Sequence, residues 1–264
     1  MPELPEVEFA ATVARRIARG RTITSVRVLH RSQRRSLPAR DAKSLVGDRI
    51  LDVRRRGKSQ RFALASGREL HVHFRMTGDW LAPGPGAIPR TVRAIITFDD
   101  GTSLALDDPR ALSVLTLHNE PAGDDGIGPD ALDPALRAVE LGGRLATRRI
   151  PIKVALLDQR IVAGIGNIYA SEALHLAGIS PRRRAGALST MSGAPRASTA
   201  HLTAAIKRVL TDAIRRVSSR GYRGSRFKVY EREASPCLRA GCGGTIRRFT
   251  QAGRSTFYCP VCQR

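Results

Sequence analysis

Four cysteines constrain this chain more than any other feature: Cys237, Cys242, Cys259 and Cys262, all within the last 28 of its 264 residues. Cys237-x4-Cys242 and Cys259-x2-Cys262 form two close pairs separated by sixteen residues. Two pairs on two turns bring four thiolates to the corners of a tetrahedron, which is the geometry of a structural zinc ion. Clustering of this kind, without a secretory leader, argues against a disulfide framework. Gly241, Gly243 and Gly244 permit a tight first knuckle, and Pro260 stiffens the second. Four thiolates leave no coordination position open, so the expected cofactor is one structural zinc ion, with no catalytic metal. Such a metal fixes a short hairpin, and its tip, residues 250–254, is placed to carry Arg254 into a partner.

The rest of the chain divides by hydrophobic period. Residues 3–19 read as a helix, with Val7, Ala10, Ala11, Ala14 and Ile17 on one face and Gly20 as its stop. A helix buried on one side holds the chain terminus in place, where most termini fray. Short alternating segments follow at 23–29, 50–55, 61–65, 69–74, 93–98 and 103–107, with Asp100-Gly101 as a hairpin turn. They predict an antiparallel sandwich or barrel. Pro83-Gly84-Pro85-Gly86 reads as a loop and 123–130 as a linker. From there the pattern is helical, at 136–141, 151–158, 167–177 and 202–217, with 185–200 a loop around a helix start. The tail alternates again at 245–249 and 255–258. The reading is an α+β multi-domain chain: a helix plus β-sandwich over 1–130, a helical domain over 131–226 and a zinc ribbon over 227–264.

Charge narrows the partner. Lys plus Arg number 45 against 23 Asp plus Glu, a net +22. Residues 206–264 hold 14 basic and 3 acidic side chains, a surplus of 11 and thus half of the net charge. Such an excess attracts polyanions, and nucleic acid is the leading partner. Ribosomal RNA, acidic lipid and genomic composition bias stay open as alternatives. No apolar run is long enough to span a bilayer. Glu3 and Glu6 stand where a signal peptide would be basic. The expected protein is therefore intracellular, without a membrane partner.

Two stretches carry chemistry. Val162-Ala163-Gly164-Ile165-Gly166-Asn167 is a two-glycine turn entering a helix, with Asn167 as the expected N-cap. Amides at such a helix start bind phosphate, and Lys153 nearby could add a contact. A dinucleotide-binding loop is set aside because no strand precedes the turn and no third glycine is in register. The second stretch is Met1-Pro2-Glu3-Leu4-Pro5-Glu6. If Met1 is removed, Pro2 offers a secondary α-amine flanked by two carboxylates. The competing reading is a plain helix start, since proline and glutamate both suit a first turn.

Pro2-Glu3-Leu4-Pro5-Glu6-Val7-Glu8, Lys58 after Arg56-Gly57, Gly166-Asn167-Ile168-Tyr169-Ala170-Ser171-Glu172, and Tyr258-Cys259-Pro260-x-Cys262-Gln263 occur in this order. In this set, from Pro2 to Gln263, the chain resembles the formamidopyrimidine-DNA glycosylases of the Fpg/Nei type. The resemblance implies an N-terminal helix with a β-sandwich, a helix–two-turn–helix domain, a zinc hairpin, and damaged double-stranded DNA lying across the cleft between the halves. It implies base excision repair: Pro2 attacks the sugar as nucleophile, forms a Schiff base, and the abasic strand is cleaved by β,δ-elimination. Glu3 matches the family's acid/base residue, Glu6 is placed in the same site, Lys58 matches its phosphate-contacting lysine, and Arg254 its hairpin arginine. Met76 and Arg110 match residues that fill the gap left by a flipped base. A bacterial-type cytoplasmic, nucleoid-associated monomer is the corresponding expectation.

The chain also departs from that pattern. Leu112 stands where a wedge phenylalanine is common. A histidine usual just before the strand at Arg93 is missing, with Arg90 as the candidate substitute. The first cysteine pair is spaced by four residues where two are typical. The stretch 218–228 is shorter than in members acting on 8-oxoguanine, which predicts weaker excision of that base than of formamidopyrimidines, spiroiminodihydantoin-type lesions or oxidised pyrimidines. Two rival readings remain at this level: a catalytically silent DNA binder of the same fold, and a zinc-ribbon protein of ribosomal RNA. With Met1 retained, the Pro2 nitrogen is a tertiary amide and has no nucleophilicity.

Overall fold

The N-terminal helix, α1 (Leu4–Ala18), is built on small residues. Leu4, Val7, Ala10, Ala11, Ala14 and Ala18 are all buried, so the helix backbone lies close against the sheet below it. Gly20, at φ +81°, turns the chain out of the helix. The fold comes from a computed structural model that describes residues 2–83, 88–121, 126–220 and 227–264, with 218–220 described in their backbone alone. The chain divides into two compact units, Met1–Asp125 and Gly126–Arg264.

In the first unit α1 is followed by β1 (Ile23–Val28), α2 (Arg31–Ser36), α3 (Ala39–Ser44), β2 (Ile50–Arg56), β3 (Ser59–Leu64), β4 (Glu69–His73), β5 (Asp79–Leu81), β6 (Val92–Phe98), β7 (Ser103–Asp107) and β8 (Val114–His118). Two four-stranded sheets form, ordered β1-β6-β7-β5 and β2-β3-β4-β8, and every pairing in them is antiparallel. One core joins both sheets and α1, including Phe62, Phe74, Trp80, Phe98 and Leu106. Trp80 meets the Phe62 and Phe74 rings edge-on, and its indole N–H donates to Gln60 Oε1 at 2.6 Å. Charged pairs fasten α1 to β2: Arg55 to Glu8 at 2.6 Å, and Arg15 to Asp52 at 3.2 Å.

Four elements here escape the sequence pattern. Helix α2 buries Gln33 and so shows no apolar stripe. Helix α3 buries one alanine, β5 is three residues long, and β8 buries a single residue of its five. The loop at 83–86 falls largely outside the described residues, as does the first part of the linker at 123–130.

The second unit contains α4 (Ala138–Leu145), α5 (Ile152–Leu157), α6 (Asn167–Ala177), a short 3-10 turn (Ala185–Leu188), α7 (Ala197–Arg220), β9 (Arg247–Gln251) and β10 (Arg254–Tyr258). The expected helix at 136–141 begins later, because Leu136 belongs to a turn closed by its N–H to Asp133 O at 3.0 Å. Helix α7 is longer than its apolar run, starting at Ala197. The hairpin tip is tighter than 250–254: Gln251 already pairs with Arg254, leaving Ala252 and Gly253 as the turn, both at positive φ. No helix of the described residues is long and apolar enough to cross a membrane.

Candidate functional site

The candidate residues fall into two groups, one in each unit. In the first unit Pro2 is half-buried immediately before α1. Glu3 is 1% exposed and is the N-cap of α1, and its N–H donates to Glu6 Oε2 at 2.9 Å. Glu6 thus has a structural task as well, closing the first turn against Glu3. The start of α1 is fixed by this bond and by the buried Leu4, so the chain beside Pro2 has little room to move.

Lys58 occupies the turn between β2 and β3 beside Gly57, whose φ of +59° shapes that turn. Across the ladder from Ser59 stands His73, a residue the sequence pattern did not single out. Its Nδ1 accepts the Arg75 N–H at 2.9 Å, which leaves Nε2 as the protonated nitrogen. Burial, then the charges of Arg75 and Lys58, pull the His73 pKa down to about 4. At neutral pH it is therefore an uncharged donor beside two cations, which is a suitable environment for a phosphate.

Met76 and Leu112 are 39% and 42% exposed, and Arg110 is exposed as well. Met76 follows Arg75, and Arg110 precedes Ala111; both neighbours have positive φ, so each turn is held in an uncommon conformation. Asp108, fully buried, joins the two turns. It accepts from Thr77 Oγ1 at 2.5 Å, from Arg110 N at 3.2 Å and from Ser113 N at 2.7 Å. Burial raises its pKa, but the bonds from Thr77 and Ser113 outweigh this and the net shift is downward. Arg93 clamps the second turn from outside, donating to Asp108 O at 2.7 Å, Pro109 O at 3.0 Å and Arg90 O at 3.1 Å. Arg90 is exposed.

The second unit is wired by buried polar groups. The turn between α5 and α6 is held by Gln159, which donates to Leu157 O and Ile165 O and accepts from Gly164 N at 2.9 Å. Gly164, at φ +102°, is a position that other residues rarely adopt. Asn167 is the first residue of α6, and Gly166 is the cap, so the expected N-cap role is corrected. The Asn167 side chain turns instead to its neighbours: Oδ1 accepts from Lys153 Nζ at 2.6 Å, and Nδ2 donates to Ser255 O at 3.0 Å.

Lys153 likewise differs from its expected surface phosphate contact. It is 1% exposed, and Nζ also donates to Thr256 Oγ1 at 2.7 Å and Ser255 O at 3.1 Å. An ammonium enclosed this way holds α5, α6 and β10 together, and it presents no open face to a ligand. Arg254, at the start of β10 two residues before Thr256, is exposed. Glu172 accepts the N–H groups of Lys228, Val229 and Tyr230 at 2.8–3.0 Å, anchoring the chain where it enters the ribbon. Most of 218–228 lies outside the described residues or is described in backbone alone.

The four cysteine sulfurs lie within 4.8 Å of one another, with Cys237–Cys262 at 3.9 Å and Cys242–Cys259 at 3.5 Å. Zinc–thiolate bonds of about 2.3 Å separate tetrahedral sulfurs by about 3.8 Å, so the quartet fits one zinc ion. Packed thiols cannot all ionise without a cation: burial and then the other sulfurs push the Cys262 thiol up to about 12. A Cβ at Gly244 would stand 2.7 Å from Cys259 Sγ, so this knuckle requires glycine. His175 Nε2 lies 3.3 Å from Cys237 Sγ and supports it from α6. The quartet is the site of one structural zinc ion, and the wider cysteine spacing does not disturb it.

Comparison with known proteins accounts for nearly the whole chain. Residues 1–115 match the formamidopyrimidine-DNA glycosylase N-terminal domain, 127–222 the H2TH domain of the same proteins, and 234–264 a zinc finger found in FPG and IleRS. These are the modules of a DNA glycosylase. The formamidopyrimidine-DNA glycosylases of Cereibacter sphaeroides and Paracoccus denitrificans are each 38% identical to the chain, with full coverage of both sequences. The structure matches that of Lactococcus lactis formamidopyrimidine-DNA glycosylase bound non-covalently to DNA with an AP site, at TM-score 0.86, 28% identity and full coverage of both chains. The same Lactococcus protein in complex with FAPY-dG-containing DNA matches at TM-score 0.87 over 99% of this chain. The chain belongs to the formamidopyrimidine-DNA glycosylase family.

Proposed function

We propose that this protein removes oxidised or ring-opened bases from damaged double-stranded DNA through Pro2 and then cleaves the abasic strand. The observation that carries the reading is the start of α1: a half-buried Pro2 next to a 1%-exposed Glu3, fixed by Glu6 and by a packed helix. An α-amine titrates near 8, so a free-base fraction exists at neutral pH. Its lone pair attacks C1′ as the bond from C1′ to the base breaks, and the base leaves with a proton. The amine loses its proton and its lone pair then opens the sugar ring: the C1′–O4′ bond breaks, O4′ leaves protonated as the C4′ hydroxyl, and C1′ becomes an iminium that is necessarily cationic. That cation acidifies the C2′ hydrogen; its removal expels the 3′ phosphate, and a second elimination expels the 5′ phosphate. This is covalent catalysis by an amine.

Glu3 supplies acid/base function at the sugar, with Glu6 holding its backbone. Lys58, His73 and Arg75 form the phosphate grip of the first unit. Arg254 adds a cation from the hairpin, and Asn167 and Lys153 set the position of β10 behind it. A base must leave the stack before attack, at a cost of a few kcal/mol. Met76 and Leu112 are exposed apolar wedges for the vacated space, with Arg110 facing the orphaned base. Leu112 fills volume without aromatic stacking, which relaxes opposite-base selection. The short stretch at 218–228 favours formamidopyrimidines, spiroiminodihydantoin-type lesions and oxidised pyrimidines over 8-oxoguanine.

Cleavage of defined-lesion duplexes tests the reading. The expected product is a one-nucleotide gap with phosphate at both ends, and Arg254→Ala should stall the reaction after the first elimination. Intact strands on abasic DNA would overturn it. A strong preference for 8-oxoguanine opposite cytosine would sink the lesion assignment alone.

A further inference from the structure

The second unit holds a cavity of about 290 Å³ whose lining, Lys228 apart, has no part in the repair reading. It opens where the C-terminal half of α6, the middle of α7 and the first zinc knuckle meet. Its floor includes Leu176 and Leu238, which are 41% and 53% exposed, together with Val209. Arg208, Arg216, Lys228 and Arg239 come to its walls from three elements. Arg239 is set in place by Leu176 O, 3.2 Å away, and by His175 O. Among the described lining residues two carboxylates, Glu172 and Asp212, stand against these four cations. Glu172 is already engaged by three backbone N–H groups, and Asp212 lies 3.9 Å from Arg208.

We propose that this groove docks an acidic peptide segment of a partner protein, with one apolar side chain seated between Leu176 and Leu238. An apolar floor with an arginine-rich rim matches the anatomy of a small protein interface: a desolvated anchor supplies affinity and flanking charges supply orientation. The carboxylates of an acidic segment complement the cationic walls, and steering by charge speeds the encounter. Duplex DNA fits the groove poorly. Phosphates gain nothing from the exposed Leu176 and Leu238. Within the second unit the groove is set apart from the hairpin cation proposed for DNA: Leu176 is nine residues, about 13 Å along the helix axis, beyond Asn167, which bonds Ser255 beside Arg254. Lys228 is shared with the 218–228 stretch proposed to select lesions, and the variants tested below leave it intact.

Panning a displayed library of random dodecamers on the zinc-loaded full chain tests it. The expected consensus places Asp and Glu around a single Leu, Ile or Phe. A synthetic peptide of that consensus should bind at least ten-fold more weakly to Leu238→Glu and to Arg208→Glu, measured by fluorescence anisotropy. Both substituted side chains are exposed, and unchanged zinc content and Tm verify the fold. Affinity for an abasic duplex should change less than two-fold in both variants. The proposal is overturned by any of three results: no acidic–apolar consensus, peptide affinity indifferent to both substitutions, or displacement of the peptide by undamaged duplex, which would make the groove a nucleic-acid surface.

Discussion

The two units hold their candidate residues by different physics. The first rests on a broad apolar core that joins eight strands and α1, and its reactive terminus stands at the end of a helix packed through alanines. The second packs its helices on buried side chains such as Leu141, Leu156, Tyr169, Leu202 and Leu210, but its ribbon has a small core of Val229, Ile246, Phe257 and Cys259, too few side chains to order a hairpin by burial. There, a four-sulfur metal site, the enclosed Lys153 ammonium and the Glu172 carboxylate take over. Hydrophobic burial tolerates local change, because many contacts share it. A site held by a few polar bonds is lost when one of them goes.

Metal removal should separate the units most sharply. Chelating the zinc should unfold residues 227–264 and weaken abasic-duplex binding at least 100-fold, while the amide spectrum of the first unit stays native. Collapse of the whole spectrum would show that the units are not independent in stability. Next in size is Lys153→Met, which keeps the stem and removes the ammonium, leaving Asn167 Oδ1, Ser255 O and Thr256 Oγ1 without it. The expected cost is on the order of 2–4 kcal/mol in urea denaturation of the second unit, since buried acceptors lose their donor. A neutral result would remove Lys153 from the account of the hairpin.

A smaller effect tests the first unit by pH. The folded-state pKa of His73 is depressed to about 4, whereas an unfolded histidine titrates near 6.5. Between those values the unfolded chain binds the extra proton, so stability present above pH 6.5 is lost as pH falls toward 4. His73→Gln should flatten that slope for the first unit. An unchanged slope would show that His73 is not held neutral.

The sequence makes these two regions legible to different degrees. The α1 stripe, the alternating strands and the cysteine spacing are local patterns, and six of the eight sandwich strands follow from them. Helix α2 and β5 do not, because Gln33 and Asp79-Trp80-Leu81 carry no local period, and their place is set by distant partners such as Ser113 and β7. Lys153 reads as a surface cation until its three acceptors, two of them more than 100 residues away, are in view. Asp108 and Glu172 escape for the same reason: each is defined by whose N–H groups it receives, and spacing does not encode that.

Trapping with borohydride tests the central claim, that the chain's own N-terminal proline is the nucleophile. The mature protein, beginning at Pro2, is incubated with abasic duplex and borohydride, which reduces an iminium to a stable amine. The account predicts a covalent protein–DNA adduct with full-length processed chain and none with a preparation that retains Met1. An adduct of equal yield from the Met1-retaining form would assign the chemistry to another amine and contradict the account.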